Sequence, residues 1–157
     1  MIEAFNRHDA QWAFEQALRR GRRDTSFFSR VRGCDNRVLR LDDVLEAVPR
    51  RGEAYLGIAE IPVERIVGTE SRGEDYSRAF HPRKRMLSAR WKTIHRLLSK
   101  SEFDEPIKVI EVGGMYFVRD GNHRVSVARS LERTFLTAEV TRYDVAFSLQ
   151  ENLDRNG

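Results

Sequence analysis

One cysteine, Cys34, is present in 157 residues, which excludes both an intramolecular disulfide framework and a zinc site built from several cysteines. Such sparing use suits a reducing compartment, and a cytoplasmic location is expected. No apolar run approaches the ~20 residues that a membrane span needs. The opening residues, MIEAFNRHDAQWAF, lack the apolar core of a secretory leader, so no membrane partner is expected. Neither sign of charge dominates. The 28 basic and 24 acidic side chains leave a net charge of +4, which permits an anionic partner without demanding one. The arginines of residues 19–23 have no aromatic residue among them, so a stacking platform for single-stranded nucleic acid is absent there.

Hydrophobic residues make up 40% of the chain and charged residues 33%, a balance that builds a globular core rather than a disordered segment. A chain of this length fits one compact unit. Trp12, Ala13, Ala17 and Leu18 predict an amphipathic helix over residues 8–20, stopped by the basic run that Gly21 interrupts. Phe27 and Phe28 then anchor the chain. A second short helix is expected where Asp42 and Asp43 begin it and Pro49 ends it. The run GIAEIPVERIVGT reads as strand, with Pro62 at a sheet edge or bend. Residues 70–85 show no periodicity and read as a long loop ending in HPRKR, the centre of the largest basic patch. Leu87, Trp91, Ile94 and Leu98 recur at helical spacing, which makes Trp91 a core residue. Beyond Pro106, two apolar runs flank Gly113-Gly114 and predict an antiparallel hairpin, and residues 135–140 read as another strand. The tail is weakly helical through Ala146, Phe147 and Leu149.

Residues 116–131, YFVRDGNHRVSVARSL, carry the strongest functional pattern. An apolar strand opens at Arg119 and Asp120 into Gly121, and Val125, Ala128 and Leu131 then recur at helical spacing. Unpaired backbone N–H groups at a helix start carry partial positive charge, so a glycine turn followed by His123 and Arg124 suits a phosphate or another anion. Arg124 falls on the extension of the buried helix face and needs a carboxylate or a phosphate as partner. His123 can donate to phosphate or act as acid or base. Asp120 can cap the helix, bind a metal, or take a proton from an attacking hydroxyl. The same residues also fit a purely structural turn, with Asp120 as cap and Arg124 in an internal salt bridge. His81, His95, His123 and Asp120 show no spacing diagnostic of a metal site.

The segment PIKVIEVGGMYFVRDGNHRVSVARSLERTFLTAEV, with EIPVERIVG before it, resembles the ParB/sulfiredoxin superfamily across about residues 57–141. The resemblance implies an α+β fold, a mixed sheet packed with helices, here preceded by an N-terminal helical extension. The division expected is 1–54 for that extension, 55–142 for the superfamily-like domain and 143–157 for a tail. It implies that Gly121, Asn122, His123 and Arg124 hold the phosphates of a nucleotide such as ATP, ADP or CTP, with magnesium. Sulfiredoxin places a catalytic cysteine in this turn, whereas Asn122 and His123 stand here, so sulfinic acid reduction is not implied. Glu151, Asn152 and Arg155 look like the E-N-x-x-R box of ParB, in which the asparagine assists a magnesium ion.

The expectation is therefore a nucleotide-binding domain with scope for phosphoryl transfer or nucleotide hydrolysis. Asp120 would act as base or magnesium ligand, His123 as acid or base, and Glu60 as a second carboxylate. Arg83 and Arg85 would add positive charge over the phosphates. A DNA-associated module using HPRKR and the outer face of the Trp91 helix is the alternative, and an interaction domain without ligand is a third. A homodimer remains open.

Overall fold

Gly113 and Gly114 have φ of 56° and 88°, the two left-handed residues that a tight two-residue hairpin turn requires. They join β4 (Ile107–Val112) to β5 (Met115–Asp120) as antiparallel neighbours, as the sequence pattern predicts. The computed structural model that shows this describes residues 2–31, 37–71, 73–100 and 105–146, with side chains of the first helix described for residues 9–23. The hairpin lies at the centre of a mixed sheet. The other strands are β1 (Leu39–Arg40), β2 (Gly52–Pro62), β3 (Ile66–Thr69) and β6 (Phe135–Asp144). Their order is β1-β3-β5-β4-β6-β2. β1 with β3, β3 with β5 and β4 with β6 run parallel, while β2 with β6 runs antiparallel. With its helices this is the α+β class expected.

Successive residues of a strand point to opposite faces, and β4 shows two cores as a result. Val109 packs into a cluster with Phe14, Trp91, Val125 and Val127, contributed by α1 (Ile2–Val31), α3 (Ser88–Ser99) and α4 (Asn122–Ser130). Ile110 packs with Phe117, Tyr143 and Leu41, the last from α2 (Leu41–Ala47). Trp91 is fully buried, meets Phe14 edge-on at 5.5 Å and donates from Nε1 to Ser126 Oγ at 2.9 Å. Its predicted place in the core is therefore also a polar tie between α3 and α4. His95 stacks on the same indole. The stretch before residue 55 supplies β1 to the sheet and α1 to the larger core, and β2 begins at Gly52.

Two expectations need correction. The first helix was expected to end at residue 20, yet α1 continues through Gly21 to Val31. A Cβ on Gly21 would lie 2.3 Å from the carbonyl oxygen of Pro82, so this glycine admits a crossing backbone rather than breaking the helix. Residues 70–85 were expected to form an aperiodic loop. Instead they hold a short 3₁₀ turn, Gly73–Asp75, and bridges between Arg37 and Ser77 and between Tyr76 and Pro82. Tyr76 and Phe80 are buried, and Phe80 adopts φ of 61° to reach the core. Two apolar anchors in a polar stretch leave no period for a sequence pattern to detect. Cys34, Glu151, Asn152, Arg155, Phe147 and Leu149 lie outside the described residues, as do the side chains of Phe27 and Phe28.

Candidate functional site

At the end of β5, Gly121 turns the chain with φ of 120°. A Cβ there would stand 2.6 Å from Ile107 Cγ2, so close packing and backbone angle both require glycine. α4 begins at the next residue. Gly121 occupies its N-cap, no side chain caps it, and its first turn carries no acid. The first intrahelical bond runs from Val125 N to the Gly121 carbonyl at 3.0 Å. The N–H groups of Asn122, His123 and Arg124 precede it and have no acceptor within the helix. Asp120 was weighed as a cap; it does not serve as one.

His123 is fixed from the side. Its Nδ1 lies 2.5 Å from the Tyr76 hydroxyl, and the two rings meet edge to face. Burial pushes the Tyr76 hydroxyl far above its ordinary value, with Asp75 adding to the effect, so the phenol keeps its proton. Burial and then the Arg90 charge hold the His123 ring below its ordinary value, against a smaller opposing effect of Asp75. A neutral ring that accepts at Nδ1 carries its proton on Nε2. In the tautomer in which Tyr76 donates to Nδ1, His123 is a hydrogen-bond donor through Nε2. Acceptance of a proton, the other role expected of it, is disfavoured by the same environment.

Asn122 is tied to the end of β3. Its Nδ2 donates to Ser71 Oγ at 3.0 Å, and the Ser71 and Thr69 hydroxyls lie 3.0 Å apart. Thr69 Oγ1 donates onward to the Val118 carbonyl at 3.2 Å. Asn122 Oδ1 has no hydrogen-bond partner among the described residues. Arg124, expected as a phosphate ligand, is buried instead. Its Nη1 donates to the Glu105 carbonyl at 2.8 Å, and Nη2 lies 3.5 Å from Asp120 Oδ2. The acidic partner that the helix pattern called for is thus Asp120, one turn back. Arg124 braces the turn against the segment before β4, while Asp120 stays 66% exposed at the lip.

The remaining predicted site residues lie apart from the turn or are engaged elsewhere. Glu60 sits on the edge strand β2, where it accepts from Thr137, three strand spacings from β5 or roughly 14 Å. Arg83 donates to the Glu74 carbonyl, and Arg85 pairs with Glu15 on α1 at 2.6 Å. Lys84 pairs with Asp75 at 3.0 Å. Lys84 and Arg85 of HPRKR are therefore each paired with an acid at the surface. Among the described residues no group of three or more His, Cys, Asp or Glu is placed to hold a metal ion. Sequence reading missed Tyr76 and Arg90. Tyr76 stood as a lone aromatic in a polar run, and Arg90 lay off the buried stripe of its helix with nothing to single it out.

No protein-family model and no curated protein matches the sequence. Solved structures similar to it include the following two. Sulfiredoxin from Arabidopsis thaliana aligns with TM-score 0.39 and 21% identity over 62% of this chain and 93% of that one. A Pnob8-like ParB-N domain aligns with TM-score 0.39 and 15% identity over 66% of this chain and 35% of that one. The chain therefore spans about a third of the length of the second structure.

Proposed function

We propose that the turn formed by Gly121, Asn122 and His123 binds phosphate groups of a nucleotide. The observation that carries this reading is the His123 ring held by Tyr76 beside an uncapped helix start: in the tautomer that accepts at Nδ1 the ring offers Nε2 as a donor, and the first N–H groups of the helix have no acceptor within it. Donors of this kind at a helix N-terminus, with a glycine that lets the backbone approach, favour a bound anion. Arg90 adds positive charge, felt at the His123 ring.

Asp120 offers an exposed carboxylate, and among the described residues it belongs to no group of three or more His, Cys, Asp or Glu placed to hold a metal ion. That donor set fits magnesium only as an ion that arrives on the phosphates, since magnesium is commonly held by one or two carboxylates plus substrate oxygens and water. Magnesium there would neutralise phosphate charge. Arg124 keeps Asp120 and the helix start in register, so its part is positioning. Phosphoryl transfer or nucleotide hydrolysis stays within this reading as a consequence of bound magnesium nucleotide beside Asp120.

Isothermal titration of the full chain with ATP, ADP, CTP and GTP in the presence of magnesium tests the reading. Binding to at least one nucleotide is expected, weakened ~tenfold by His123→Ala, about the value of one charge-assisted hydrogen bond. No heat with any nucleotide, or equal affinity in the folded His123→Ala variant, overturns it. The DNA-associated alternative gains no support from the basic loop, whose Lys84 and Arg85 are already paired with Asp75 and Glu15.

A further inference from the structure

The outermost strand β2 is eleven residues long and, among the described residues, has a neighbour on one side only. Natural sheets protect such edges with short strands, lysines or prolines, because unpaired N–H and C=O groups invite another strand. β2 has Pro62 at its very end and no lysine. Its middle, residues 54–59, is uncharged, and Tyr55, Leu56 and Ile58 are 64%, 44% and 65% exposed.

The register of any partner strand is constrained by a bulge. β2 pairs with β6 so that Glu53 and Tyr55 stand opposite Tyr143 and Thr141, while Ile58 and Glu60 stand opposite Glu139 and Thr137. Those four β6 residues alternate and share one face. Hence Glu53 and Tyr55 before the bulge share a face with Ile58 and Glu60 after it, and Arg51 stands one residue before β2 with its guanidinium donating to the Val145 carbonyl at 3.3 Å. Opposed residues of antiparallel strands share a face, so a twofold pairing of β2 with itself has two registers that keep most of the strand matched. One sets Glu60 against Glu53 of the other copy, like charge against like. The other sets Glu60 against Arg51 at both ends and Tyr55 against Leu56 at the axis.

We infer that β2 is a homodimer interface, in which two copies of this chain pair antiparallel in the Arg51–Glu60 register and continue one sheet through both. That register opposes Arg51 to Glu60 at both ends and Glu53 to Ile58, so it avoids the like-charge opposition of the other register and matches opposite charges at its two ends, which points to a second copy rather than an unrelated strand. A closed twofold contact of this type uses the same patch on both copies and consumes both free edges. The exposed Tyr55 and Leu56 side chains gather at the axis, with Ile58 flanking them. The interface stands apart from the phosphate-binding reading and does not depend on it.

Sedimentation analysis of the full chain from micromolar to submillimolar concentration tests it, with circular dichroism confirming that each variant is folded. A monomer–dimer equilibrium is expected. Ile58→Lys, at an exposed site that tolerates a long polar side chain, should raise the dimer dissociation constant ~tenfold or more. Arg51→Glu and Glu60→Arg should each weaken the dimer, and the double exchange should restore it. A chain that stays monomeric, a dimer indifferent to Ile58→Lys, or a double exchange no better than either single change overturns the inference.

Discussion

The Tyr76 hydroxyl lies 2.5 Å from His123 Nδ1 and ties the segment between β3 and α3 to the first turn of α4. With the phenol as donor the neighbouring ring accepts at Nδ1 and presents Nε2–H, so the donor character proposed for the candidate site depends on that one bond.

Tyr76→Phe tests this directly. In the parent protein the His123 imidazole should give ¹⁵N shifts of the Nε2–H tautomer, and in the variant the two tautomers should redistribute. Loss of the donor to a half-buried nitrogen should cost about 1 kcal/mol in chemical denaturation. Nucleotide affinity should fall with it.

Acid should destabilise the fold through two histidines. His123 and His95 both titrate below the ordinary value of 6.5, and burial is the larger cause in each. Between those lowered values and 6.5 the unfolded chain binds more protons than the folded one, so stability rises with pH in that window. Their contribution is fully present above 6.5 and is lost as pH falls through the folded values. Melting temperatures at about pH 8 and about pH 5 should differ less in His95→Phe, which keeps a ring against Trp91 but cannot titrate.

Gly21→Ala should reverse the usual sign of a helix substitution. In an exposed helix interior alanine is favoured over glycine by ~1 kcal/mol. Here the new methyl would meet the Pro82 carbonyl at 2.3 Å, and the backbone of His81 is also near. A net loss of ~1–3 kcal/mol is expected. Hydrogen exchange should rise at Tyr76 and Phe80 if the strap is displaced.

Ser126→Ala removes the acceptor for a buried indole N–H. The expected loss is ~1–3 kcal/mol, because Trp91 Nε1 is then left without a partner or water. Trp91→Phe in the Ser126→Ala background should cost less than in the parent, and a double-mutant cycle measures the difference.

The hairpin, the Trp91 helix and the strand-turn-helix of residues 116–131 were legible in sequence because each repeats a local period bounded by glycine or proline. The need of Arg124 for an acidic partner was legible for the same reason. Asp120, the partner found, lies only one turn back, whereas the Glu105 carbonyl that takes a second N–H was not legible, because that contact joins residues 19 apart in sequence. Glu60 looked like a second carboxylate only by nearness in the chain to the following loop; sheet order carries it to the far edge.

By itself the sequence determined a globular chain without a disulfide framework, its hairpin, its buried tryptophan, and a glycine turn opening a helix, since each depends on composition or on residues within one or two turns of one another. Tertiary structure alone decided that Gly21 admits a crossing strap and that Tyr76 in that strap reaches His123. It also decided that Lys84 and Arg85 pair with Asp75 and Glu15 and that β2 lies at the edge of the sheet among the described residues. Those outcomes rest on long-range packing, which brings together residues whose spacing along the chain carries no periodic signal.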